Sequence, residues 1–265
     1  MAVPAQARRI PFGEDEKPGS SGAGEELPRM SLLEHLEELR QRLLRSILAL
    51  VVGVAICLNW APEILRFLAV PIYRFLPPGT KLAVLGVTDP FLLYFKTSLL
   101  AGTFVVCPVI LYQLWGFIAP GLYANERKWV GPFVALGWLF FLGGGAFAYY
   151  VAFPFTVEFL LQMAVDFEPV ITADRYYGFL LTIVLGLGLM FELPLVLTLL
   201  AKVRIVSWRF LVRHIRWAVL IIFVVAAILT PTADIVNLCI FAIPTIGLYL
   251  LGILGAALVA PKKSS

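Results

Sequence analysis

Six apolar runs, close to or beyond the length that crosses a bilayer, decide what this chain can become. A membrane span takes about 20 apolar residues in helical form, because hydrocarbon offers the backbone no hydrogen-bonding partner. The runs cover Leu43–Trp60, Pro90–Ile118, Trp129–Phe153, Tyr176–Leu200, Trp217–Thr230 and Ile235–Val259. Helix-stopping sequences fall between them, at Pro77-Pro78-Gly79, Pro120-Gly121 and Thr230-Pro231. With 60% hydrophobic and 14% charged residues, the mean hydropathy is +0.91, outside the range of soluble domains. The predicted fold class is an all-α polytopic membrane protein with six transmembrane helices.

Lysine and arginine set the expected orientation. If the N-terminus is cytoplasmic, 16 of the 21 basic residues lie on that side and 5 on the other. The positive-inside rule then places both termini in the cytoplasm. The formal net charge of +4 is therefore mostly a topology signal. No nucleic-acid-binding motif accompanies it, so nucleic acid is not an expected partner.

Residues 1–30 are rich in Gly, Pro, Ser and Glu and are expected to form a disordered cytoplasmic tail. Residues 31–260 form the membrane domain, which opens on an interfacial helix, and 261–265 form a second short tail. Ser31 and Glu34 have the spacing of a capping box, so that helix is predicted to start there. Leu32, Leu36, Leu39 and Leu43 give it an apolar stripe. A second interfacial helix is predicted after the first span, with Ile64, Leu65, Leu68 and Ile72 facing one way and Pro77-Pro78-Gly79 ending it. Gly137, the run Gly143–Gly145, Gly186 and Gly188 are expected to let helix backbones approach closely. The fifth span holds only 14 residues, reaching about 21 Å against a hydrocarbon core of about 30 Å. It either thins the bilayer locally or extends back through Phe210 and Leu211.

Cys57, Cys107 and Cys239 all fall in apolar runs without metal or redox spacing and read as small buried hydrophobes. His35 and His214 are the only histidines, which excludes a histidine-rich metal site. No metal, cofactor or catalytic residue is implied.

Acidic residues sit where cations usually gather. The segment SLLEHLEELRQRL, Ser31 to Leu43, runs into the first span carrying Glu34, Glu37 and Glu38. A short loop on the same expected side, LYANERK from Leu122 to Lys128, carries Glu126. Two acidic sites on one membrane rim point to a basic guest. The competing reading pairs the glutamates with this helix's own arginines, since Glu38 and Arg42 stand one turn apart. Deeper in the membrane, Glu192 is the acid within the apolar run Phe179 to Leu200. A charged side chain there costs at least about 2.5–3.5 kcal/mol on insertion scales, so Glu192 should face the bundle interior. It serves either function or an internal hydrogen bond. Pro194 removes one backbone N–H and frees the Met190 carbonyl for another donor.

Taken in order, these residues resemble the TatC family, the receptor subunits of the twin-arginine protein translocase. The likeness runs from Met30 to about Leu254. Its motifs are His35-Leu36-Glu37-Glu38-Leu39-Arg40 with Arg42-Leu43, then Pro108-Val109-Ile110-Leu111-Tyr112-Gln113-Leu114-Trp115 and Phe117-Ile118-Ala119-Pro120-Gly121-Leu122-Tyr123. Glu126-Arg127, Phe191-Glu192-Leu193-Pro194, Thr230-Pro231 and Ala242-Ile243-Pro244 complete them. The resemblance implies binding of signal peptides with consecutive arginines through Glu38 and Glu126, with Arg40 and Arg127 beside them. It makes Glu192 the family's intramembrane acid. Pro71, Gln113, Phe117, Tyr149 and Asp234 match further family positions. Single-span TatA and TatB subunits, a homo-oligomeric complex in membrane lipid, and export of folded proteins driven by the proton motive force are also implied. So is a bacterial-type cytoplasmic (inner) membrane. The chain departs from the family at Asn237-Leu238, where a glutamine is frequent.

A proton-coupled transporter of a small solute, with Glu192 as proton site, is the alternative, but inverted repeats are missing from the sequence. An intramembrane enzyme would need a His-Glu-x-x-His motif or facing acids, and the sequence has neither.

Overall fold

A computed structural model describes residues 32–77, 79–118, 130–164, 166, 170–230, 232 and 234–260. The two tails and Ser31 lie outside the described residues, as do Pro78, Pro120, Pro231 and the loop that holds Glu126 and Arg127. The described chain is helical apart from one isolated bridge.

Helix α1 (Leu32–Leu58) is one unbroken rod of 27 residues. The interfacial helix runs straight into the first span, as expected, because no Gly or Pro interrupts the sequence between Leu32 and Val52. Leu36, Leu39 and Leu43 are exposed on it, turned away from the bundle toward the space lipid would fill. Next come α2 (Ala61–Tyr73) and α3 (Asp89–Ile118). The following rod is α4 (Val130–Phe147), a π turn at Ala148–Ala152, and α5 (Phe153–Gln162). Pro154 explains the π turn: it has no N–H for the Tyr150 carbonyl, and the N–H of Phe153 reaches back to Ala148 instead. This span thus runs nine residues past its expected end at Phe153.

The next span is α6 (Ala173–Phe191) and α7 (Leu193–Lys202), broken at Glu192. It is the central element, with 61% of its apolar window buried against 17–33% for the other long spans. A six-residue helix α8 (Trp208–Arg213) is capped by Ser207, whose hydroxyl accepts the Phe210 N–H at 3.2 Å. It bends at His214 into α9 (Ile215–Leu229), and α10 (Ile235–Val259) closes the fold. Five rods are long and apolar enough to cross a bilayer, and α9, with 15 residues, is the short apolar helix.

Contacts fix the helix directions. His35 meets Phe117 and Gly53 meets Gly102, so α1 and α3 run antiparallel. Trp115–Phe133 and Phe104–Phe141 make α3 and α4 antiparallel, and Gly144 against Gly188 does the same for α4 and α6. Thr245 meets Met190 and Gly255 meets Thr198, so α10 runs parallel to the α6–α7 span. The start of α1 and the end of α10 therefore fall toward one rim, called here the first rim.

Small residues set the closest approaches. A Cβ on Gly102 would stand 2.9 Å from the Val54 backbone nitrogen, and one on Gly144 2.7 Å from the Leu187 carbonyl oxygen. Gly143 does not share this role; a Cβ there would meet open space.

The second rim is closed by α2. Leu68, Ala69 and Ile72 are buried, with Ile64 and Leu65 packed against the same core. The helix ends at Tyr73, before the Pro77 turn, and Gly79 takes the left-handed φ of 87° that favours glycine. Ala83 bridges to Thr172, and Lys96 of α3 pairs with Asp174 of α6 at 2.8 Å.

Candidate functional site

The first rim carries the polar cluster expected from the sequence. On α1, Glu38 and Arg42 stand one turn apart and face α3. The Nε of Arg42 donates to Glu38 Oε1 at 2.9 Å and its Nη2 to the same oxygen at 2.5 Å. Both side chains are about one-fifth exposed, at 20% and 22%. The other oxygen, Oε2, is buried and has no hydrogen-bond partner among the described residues. Half of the intrahelical reading therefore holds: Glu38 is paired with its own arginine, through one oxygen only.

Arg42 owes its position to α3. A side chain on Gly116 would collide with the Arg42 Nη1 and Cζ, so the glycine is the seat on which the guanidinium rests. One residue on, Phe117 stacks on His35, ring centroids 4.3 Å apart and planes 17° from parallel. Gln113, one turn earlier, holds a buried Oε1 without a hydrogen-bond partner. Thus Gln113, Gly116 and Phe117, at i, i+3 and i+4, form the α3 face of the cluster. Arg40 is not part of it. Its side chain is 71% exposed and lies 3.6 Å from Glu37, which also takes the Gln41 amide at 3.4 Å.

Glu192 lies deeper. It forms the joint between α6 and α7, with Pro194 in the first turn of the second helix. The residue is 8% exposed, and neither carboxyl oxygen has a partner among the described residues. A Cβ on Gly137 of α4 would stand 3.1 Å from Glu192 Oε2, and 2.8 and 3.0 Å from side-chain carbons of Leu111 and Leu195. The pocket wall is thus the apolar cluster of Cys107, Leu111 and Phe141. Trp115 and Phe133, ring centroids 4.6 Å apart and tilted by 46°, lie one turn nearer the first rim on α3 and α4, with the Lys202 ammonium 5.6 Å from the Phe133 ring. The Glu192 backbone N–H folds back onto the Leu189 and Met190 carbonyls, so the other donor expected at Met190 is a local one.

Two other sequence-singled residues form one device at the second rim. Pro71 lies inside α2 and cannot donate to the Phe67 carbonyl one turn before it. The Tyr149 hydroxyl donates to that carbonyl at 2.5 Å. Tyr176 and Tyr177 add hydroxyl donors to the Leu68 and Leu65 carbonyls at 2.8 and 2.9 Å. The same repair recurs within the membrane. Pro108 of α3 leaves the Phe104 carbonyl open, and the Trp138 indole N–H of α4 donates to it at 3.1 Å. Sequence inspection missed Trp138, Tyr176, Tyr177 and Gly116; a proline inside a predicted helix was the available signal that a donor must come from elsewhere.

Asp234 caps α10. Its carboxylate accepts the Asn237 backbone N–H at 2.7 Å and the Asn237 amide at 2.8 Å, and that amide also reaches the Thr232 hydroxyl at 3.0 Å. Burial pulls the Asp234 carboxyl upward, but hydrogen bonds to Asn237, Thr232 and Val236 outweigh it and hold the group below its ordinary value.

A bundle of apolar rods with polar groups gathered at one rim and a carboxyl sealed in its interior defines an integral membrane protein of the polytopic helical class. A family model described as "Sec-independent protein translocase protein (TatC)" matches residues 34–244. The TatC protein of Koribacter versatilis is 46% identical over 242 residues, covering 90% of this chain and 89% of that protein. That of Desulforapulum autotrophicum is 38% identical over 233 residues, covering 88% and 86%. A crystal structure described as the twin arginine translocase receptor TatC superposes with a TM-score of 0.76 at 35% identity, covering 85% of this chain and 99% of that one. The chain belongs to the TatC family of Sec-independent protein translocase components, which are protein-transport proteins rather than enzymes.

Proposed function

We propose that this chain is the signal-reading subunit of its translocase. It binds twin-arginine signal peptides at the cytoplasmic face and passes folded cargo across the bacterial cytoplasmic membrane. TatA- and TatB-type single-span subunits and further copies of itself complete the complex, and the proton motive force drives transport. In this reading α9 counts as the sixth span and both termini are cytoplasmic. The Lys and Arg bias supports that orientation. Family placement leaves no need for the small-solute transporter.

One observation carries the reading. At the first rim a buried carboxylate oxygen, Glu38 Oε2, has no partner among the described residues, and Gln113 Oε1, likewise unpartnered among them, lies on the α3 face packed against the same part of α1. A buried acceptor left unmade costs about 1–3 kcal/mol, so a donor supplied by a guest recovers that cost. A guanidinium fits such acceptors through paired N–H groups, which lysine's ammonium lacks. Glu126 and Arg127, in the sequence between α3 and α4, would complete the site. The apolar stretch of the signal supplies the rest of the affinity, at about 25 cal/mol per Å² buried.

Binding of a fluorescent twin-arginine peptide to purified protein in lipid nanodiscs tests this. Glu38→Ala and Glu126→Ala are each expected to weaken binding about 10- to 100-fold, the range of a charge-assisted hydrogen bond. Glu38→Asp falls between. Unchanged affinity in both alanine variants removes these residues as the signal-binding pair.

A further inference from the structure

The geometry points to Arg42 as a specificity-determining residue: by neutralising Glu38 from within, it makes the site answer to guanidinium and ignore mere positive charge. The inference rests on the signal-binding reading above and adds to it a reason for the site to prefer paired arginines to paired lysines.

Arg42 does not form the two-oxygen fork that a guanidinium usually makes with a carboxylate. Its Nε and Nη2 both converge on Oε1, and Oε2 stays unpartnered in a buried position. This arrangement is imposed from outside α1. Gly116 provides the space the guanidinium occupies, and any side chain there would displace it. His35 on Phe117, three residues before Glu38 on α1, fixes the two helices against each other beside the pair. Arg42 is therefore held where it cancels the carboxylate's charge while leaving one acceptor open.

The consequence is selective. An ammonium concentrates its charge on one atom, approaches an oxygen closely and is strongly hydrated, so a bare carboxylate is the target it gains most from. A guanidinium spreads its charge over a plane, is more weakly hydrated and gains more from directed N–H bonds. Removing the net charge of the target therefore weakens the ammonium more than the guanidinium. Proximity of Arg42 also repels a compact cation more than a delocalised one. Glu38 alone would be a general cation site; Glu38 with Arg42 is a guanidinium site.

The test compares a synthetic twin-arginine signal peptide with its twin-lysine counterpart on the full-length protein in nanodiscs. Arg42→Gln removes the charge and keeps most of the volume. It is expected to raise twin-lysine affinity about fivefold to tenfold while changing twin-arginine affinity less, so the preference for arginine shrinks. Binding by the variant should also fall more steeply with added salt, because its carboxylate is no longer neutralised. Should Arg42→Gln fail to fold, Gly116→Ala reads the same effect by pushing the guanidinium off its seat with no change of charge. An arginine-over-lysine preference that is unchanged or larger in the folded variant overturns the inference. The Glu38→Ala and Glu126→Ala variants separate the two levels. If both leave twin-arginine binding intact, the signal-binding reading itself fails; if they weaken it while Arg42→Gln leaves the preference untouched, only the role of Arg42 falls.

Discussion

The two rims of this bundle handle their charged groups and backbone carbonyls differently. At the second rim a carbonyl exposed by Pro71 meets the Tyr149 hydroxyl, two more tyrosines lock onto α2, and Lys96 meets Asp174. At the first rim Glu38 uses one oxygen of two and Gln113 leaves its carbonyl oxygen unmade. Satisfied networks rigidify, whereas unmade acceptors in a half-buried setting raise the free energy of the empty state and favour any donor that arrives. Both rims keep unpartnered buried side-chain oxygens among the described residues, at Thr97, Thr156 and Asn237 on the second-rim side and at Glu38 and Gln113 on the first, but only the first leaves a buried carboxylate oxygen open. The second rim is a cap bonded through the backbone carbonyls of α2, and the first is the surface proposed above to receive the signal.

The strongest blow to this contrast falls between the rims, at Glu192. Glu192→Gln keeps the shape and polarity of a residue whose neighbours are Leu111, Leu195 and Gly137, and export of a folded reporter should persist. Glu192→Lys places a longer, charged group in the same apolar enclosure at a cost of at least about 2.5–3.5 kcal/mol, and export should fail. Lysine exporting as well as the wild type would show that this interior is wet and loosely packed.

Tyr149→Phe sharpens the description of the closed rim. Loss of its hydroxyl strands the Phe67 carbonyl, with an expected destabilisation of about 1–3 kcal/mol in thermal melts in detergent. In a Pro71→Ala background the restored N–H can serve that carbonyl, so the same change should cost markedly less. Additive losses would mean that the two residues are not partners. Trp138→Phe repeats the test inside the membrane, with a smaller expected cost of about 0.5–1.5 kcal/mol relieved by Pro108→Ala.

The smallest effect belongs to Asp234. Asp234→Ala removes the α10 cap and should cost about 1 kcal/mol near neutral pH. The folded-state value of this carboxyl lies below its unfolded value of 3.8, so its contribution is present above 3.8 and fades as pH falls through the lower folded value. The stability gap between variant and wild type should therefore narrow in acid. A gap that widens would contradict the capping role.

The helices were legible where composition alone decides them. Ile235–Val259 falls on the residues expected, because an uninterrupted apolar run follows a good cap, Asp234. Breaks between helices were harder to place. Pro154 reads as an end, yet the π turn absorbs it and the rod continues to Gln162. At Leu43, by contrast, the helix passes into the span without a break, as expected, since helical periodicity continues through it. At the site, the pairing of Glu38 with Arg42 was visible as a spacing of four. Its one-sidedness was not, because it depends on Gly116, 74 positions along the chain from Arg42. Sequence spacing gives neighbours on one helix, and the second helix decides which face of them remains available.

The prolines inside α2 and α3 carry a consequence for how the protein is made. Phe67 and Phe104 each leave a carbonyl that its own helix cannot serve, and the donors, Tyr149 and Trp138, lie on the α4 rod. A ribosome delivers those early segments first, so the first half of the nascent chain enters the membrane incomplete. It becomes fully bonded only when the middle of the chain arrives and docks, which makes the α4 rod the keystone of assembly. A product truncated before Trp138 would carry unserved carbonyls in its early helices, a ready mark by which membrane proteases could tell an unfinished copy from a finished one.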